Sequence, residues 1–111
     1  MRTIDEIEEN FRRGITATVV PLQTTRYVDV PGLAQLVAWA TEASVVLKGR
    51  PHLPRTFLNE LYILSHVIRV EGEHNRDPQV REVADQLEML FALILRGEVP
   101  GDRQAGVPRV L

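Results

Sequence analysis

Four stretches of this chain keep helical periodicity and then stop at a glycine. They close as RRG at Gly14, LKG at Gly49, VEG at Gly72 and LRG at Gly97. A glycine just past a helix takes the left-handed conformation without a Cβ clash, and Lys or Arg in the last turn complements the negative helix end. The spacing predicts a mainly α protein: one four-helix domain over residues 1–97, followed by a C-terminal tail over 98–111. The tail, GEVPGDRQAGVPRVL after Arg96, is rich in glycine and proline and is expected to be flexible or to wrap a partner. The helical segments share no longer pattern, so repeat architecture is not implied.

The start signals sharpen this reading. Thr3 and Glu6 have capping-box spacing ahead of a first helix from Ile4 to Arg13. Asp29 precedes Pro31 at the start of a second helix running to Lys48. A third helix is expected over Arg55–Glu71. Asp77 and Pro78 open a fourth that ends at Arg96. Between the first two helices the composition shifts to β-branched residues, ITATVV and TRYVDV around PLQT. That segment, residues 15–30, reads either as an extended arm or as a short β-hairpin turning at Pro21.

Periodicity places Ile4, Ile7 and Phe11 on the buried stripe of the first helix, and Leu33, Leu36, Val37, Ala40 and Leu47 on that of the second. Phe57, Leu58, Leu61, Leu64 and Ile68 form the third stripe; Val80, Val83, Ala84, Leu87, Phe91 and Ile94 form the fourth. The last two helices carry apolar residues on a second side as well. From Met89 to Leu95 no side chain is polar. Ile63, Val67 and Val70 on the third helix, with Met89, Ala92 and Leu93 on the fourth, would leave an apolar patch in water. Soluble monomers usually avoid such patches. These six residues are therefore the expected interface of a homodimer packed about a two-fold axis.

Composition removes several chemistries. The chain has no cysteine, so disulfides, thiolate metal sites and cysteine nucleophiles are absent, as suits the cytoplasm. Its net charge of −2 supplies no broad positive field for nucleic acid. The N-terminus MRTIDEIEEN is acidic and lacks an apolar core like that of a secretory signal. No apolar run reaches the roughly 20 residues of a membrane span, so no membrane association is expected. His66, Glu71, Glu73 and His74 are metal-competent types without metal-ligand spacing. Ser44 and Ser65 sit in apolar helical stretches and read as packing residues. GDRQAG lacks the Lys-Ser/Thr of a phosphate loop. No catalytic residue, cofactor or metal is expected.

One stripe does suggest recognition. Arg55, Asn59, Tyr62, His66 and Arg69 follow one another at steps of four, three, four and three along the third helix. Two cations, an amide, a phenol and an imidazole on one edge resemble the composition of binding hot spots. The plainer reading is a boundary stripe whose long side chains cover the core. The sequence thus points to a small non-enzymatic interaction protein, such as an adaptor or an inhibitor of the immunity or antitoxin type, with a possible protein partner at this stripe. The alternatives are a dimeric DNA-binding regulator, and a small-molecule binder with a pocket lined by Trp39, Tyr62 and His66.

Overall fold

A computed structural model describes residues 2–102. Among them are four helices and no strand: α1 (Ile4–Thr25), α2 (Val30–Leu47), α3 (Arg55–His74) and α4 (Pro78–Arg96). The mainly α, four-helix reading holds. The hairpin between the first two helices does not form, and neither does an extended arm over most of residues 15–30.

The reason lies in how ITATVVPLQTT spends its polar groups. Thr24 and Thr25 return their hydroxyls to the carbonyls of Val20 and Pro21, at 2.8 and 2.9 Å. Back-bonding satisfies these hydroxyls inside the helix without adding to its stability. Pro21, inside the helix, removes one backbone hydrogen bond and crowds the carbonyl one turn back. Thr18, Val19 and Leu22 are buried, and this tertiary burial outweighs their modest helix propensity. The helix ends at Arg26, a left-handed residue with φ 60°.

Two of the four glycines act as stops. Gly49 and Gly97 have φ of 69° and 72°. Gly14 and Gly72 lie inside helices, where neighbours come too close for a side chain. A Cβ on Gly14 would lie 3.0 Å from Leu36 Cδ2, and one on Gly72 would lie 2.8 Å from Arg81 Cγ and 3.0 Å from the Arg81 backbone nitrogen. Gly72→Ala should therefore cost about 1–3 kcal/mol, as overpacking does, despite alanine's better helix propensity. Gly14→Ala meets only a leucine tip and should cost less. Urea unfolding of the two variants measures this, and a Gly72→Ala variant as stable as the parent would show that α3 and α4 can separate freely at this crossing.

The helices form two antiparallel hairpins. In the first, Gly14 faces Leu36 and Thr18 faces Gly32; in the second, Gly72 faces Arg81 and Tyr62 meets Phe91. The hairpins pack side by side, α2 against α4 and α1 against α3, so that α2 and α3 occupy opposite corners. The link 48–54 joins them across one end of the bundle. The α3–α4 contact is the most extensive and the α1–α3 contact the slightest of the four. There Phe11 and Phe57, both fully buried, meet with tilted rings at 5.3 Å, and Arg12 bonds Glu60 at 2.8 Å.

Helix α4 touches both α2 and α3, so Leu90 joins Val80, Ala84, Leu87 and Ile94 in the core. The run Met89–Leu95 is not fully covered: Met89 remains 49% and Leu95 54% exposed. Helix α2 is also only a third buried, and by length and composition it is the one described helix that could cross a membrane; core helices of soluble proteins pass the same test. Its single charged residue is Glu42, which accepts from Arg2, whose guanidinium also lies over the Trp39 ring at 4.9 Å.

The end of α4 at Arg96 is followed by an anchored turn. Asp102 accepts from the Val99 amide at 2.9 Å and pairs with Lys48 at 3.1 Å. These two bonds, the amide first, hold the Asp102 carboxyl below the ordinary aspartate value. The rest of the proposed tail, residues 103–111, lies outside the described residues.

Candidate functional site

The α3 stripe runs along the outer side of the α3–α4 hairpin, and the fold divides it in two. At its C-terminal end Arg69 bonds Asp85 at 2.9 Å and also pairs with Glu88. Both are exposed carboxylates of α4. Asp85, then Glu88, hold this guanidinium in its charged form. Arg69 thus ties the hairpin together. Like other partly exposed ion pairs, this one contributes modestly to stability.

The N-terminal end is different. Arg55, Asn59 and Tyr62 line an open groove of about 400 Å³ with Leu53, Leu58 and Phe91. Leu53 comes from the link, Phe91 from α4, and the others from α3. The Tyr62 ring stands 5.4 Å from Phe91 and 4.4 Å from His66, tilted to both. His66, as its Nδ1–H tautomer, donates to the Tyr62 carbonyl at 3.0 Å, which fixes the imidazole beside the phenol. Tyr62 is 48% exposed, and Arg55, Asn59 and His66 are exposed as well. No carboxylate lines this groove. Helix α3 opens at Pro54 without a side-chain cap, whereas Thr3, Asp29 and Asp77 cap the other three.

The six residues assigned to a dimer interface do not meet on one surface. Ile63 and Val67 turn toward α1 and line a narrower, mostly apolar groove of about 300 Å³ with Ile15, Val19 and Leu64. Arg12 also lines it, its guanidinium joining Glu8 and Glu60 at 3.0 and 2.8 Å. Burial, and then the nearby Glu60, raise the Glu8 carboxyl above its ordinary value. Val70 is 61% exposed. Ala92 and Leu93 on α4 are half-buried, and Met89 and Leu93 share the flank of α4 beside Glu82 and Gln86, which with Val30 and Ala34 of α2 line a shallow cleft.

The pocket expected around Trp39, Tyr62 and His66 is not assembled: Trp39 belongs to α2, on the corner opposite α3. Ser44 and Ser65 are buried, and each hydroxyl donates to the carbonyl three residues back, at 2.6 and 2.7 Å. Among the described residues no three His, Asp or Glu side chains gather as metal ligands would. Leu53, Leu58 and Phe91 are the groove residues that the stripe alone does not mark; periodicity puts Phe91, like Leu58, in the core. Leu53 sits between two prolines with no periodicity to place it.

No family model, curated protein or solved structure matches the chain.

Proposed function

We propose that this chain is a small non-enzymatic protein-interaction module of the cytoplasm. It engages its partner through the outer face of α3, at the groove around Tyr62 and Phe91. The observation that carries this reading is the groove itself: an apolar floor, half-exposed aromatic rings, and an arginine and an amide at its edge with no side-chain partner among the described residues. Desolvated aromatic and arginine anchors in a shallow apolar depression are the usual energetic centre of protein interfaces. Affinity capture with the parent chain, repeated with Tyr62 and Arg55 truncated, tests it; a partner retained equally by both removes the groove from the reading.

A second copy of the chain is a further partner in this reading. What favours it is the α2–α4 side, where Val45 and Met89 are each about half exposed and the only charge on α2 is Glu42. The interface is then narrower than the six residues first grouped, because Ile63 and Val67 face α1. Light scattering should give a two-subunit mass, and Leu93→Glu should return it to one. A one-subunit mass for the unmodified chain ends the homodimer reading and leaves the α3 groove untouched.

A further inference from the structure

We infer that the occupant of the Tyr62–Phe91 groove is an acidic–aliphatic peptide segment of another protein, its carboxylate on Arg55 and Asn59 and its aliphatic side chain between Leu53, Leu58 and Phe91. This rests on the interaction reading above and names the chemistry of the partner.

The one charged side chain that lines the groove is Arg55, and Arg50 and His52 stand exposed on the same link as Leu53. None of the three is paired with a carboxylate among the described residues; Arg26, Arg76, Arg81 and Arg96 are likewise unpaired, but of these unpaired cations only Arg55 lines the groove. The Asn59 amide and the Tyr62 hydroxyl likewise spend no hydrogen bond within the described chain, so each can still donate. A guanidinium presents its donors in a fork that fits a carboxylate in its plane. A basic segment would meet Arg55 as a like charge and leave it desolvated, at a cost that works against binding. A purely apolar segment would fill the floor and strand the same donors. An acidic segment with one or two aliphatic side chains satisfies both parts of the groove together.

The test uses the full chain as bait for a random twelve-residue peptide library displayed on phage. Selections run in parallel on the parent, Arg55→Glu and Tyr62→Ala, and each variant is first checked for parental thermal unfolding. Arg55 is exposed and unpaired, so its charge reversal should leave the fold intact. The expected result is enrichment of Asp or Glu beside Leu, Ile or Val on the parent. Synthetic copies of those peptides should bind Arg55→Glu weaker by about tenfold to a hundredfold, the range for a lost hydrogen bond to a charged group. They should shift the backbone amides of Asn59, Tyr62 and Phe91 in titrations followed by magnetic resonance. Peptides without acids that still need Tyr62 would overturn the acidic assignment while leaving the groove as a binding surface. No enrichment, or peptides indifferent to Tyr62→Ala, would overturn both. A parent chain whose two-subunit mass disappears in Arg55→Glu would assign the groove to a second copy instead, and would equally overturn the inference.

Discussion

Phe57→Ala is expected to lower the stability of the domain by about 3–5 kcal/mol, the cost of removing a fully buried aromatic ring. Phe57 is entirely inaccessible and packs with a tilted ring at 5.3 Å against Phe11, also inaccessible. The pair matters because of where it sits. It bridges α1 and α3, the adjacent helices that otherwise touch least, so few neighbours can close over the cavity. A domain of this size has only about 5–15 kcal/mol in total, and the variant should unfold at much lower urea with an unchanged slope. Phe91→Ala is the control. Phe91 is half-buried at the groove, so its truncation removes less from the core. A Phe57→Ala loss no larger than that of Phe91→Ala would mean that the α1–α3 seam is held by something other than this pair.

The second large effect is on binding. Tyr62→Ala combined with Arg55→Ala should leave the melting temperature near that of the parent and abolish capture of a partner that co-purifies with the unmodified chain. Tyr62 is half exposed, and Arg55 has no ionic partner among the described residues, so neither contributes much to the folded state. Arg69 is the wrong choice for such a pair. Its salt bridges to Asp85 and Glu88 would mix a folding defect with any loss of binding. If the stripe serves only to cover the core, the double variant should lose roughly 1–3 kcal/mol, as damaging substitutions do, and still bind while folded. A destabilised protein that captures its partner normally would end the groove reading.

What the sequence reveals and what it hides follow from the range of the signals. The start of α4 is written in two adjacent residues, since Asp77 accepts from the amides of Gln79 and Val80 and Pro78 supplies the first helical φ. The start of α2 is written the same way in Asp29 and Pro31. Gly14 and Gly72 mislead because a glycine past a helix end and a glycine at a close crossing look alike along the chain. What distinguishes Gly14 is Leu36, and what distinguishes Gly72 is Arg81, each on another helix. The stripe on α3 was legible from its spacing. That it would split could not be read there, because the carboxylates that engage Arg69 come from α4 and the floor beneath Tyr62 comes partly from the link.

The close crossing at Gly72 and the light seam between α1 and α3 also bear on the order of events during folding. Contacts within each hairpin join residues near in sequence, and such contacts form early because little chain entropy is lost in making them. The α3–α4 hairpin, with its backbones in near contact, is the natural first structure. In the finished protein the α1–α3 seam, the slightest contact between neighbouring helices, is where native-state hydrogen exchange should show the lowest protection, with the α3–α4 contact protected longest.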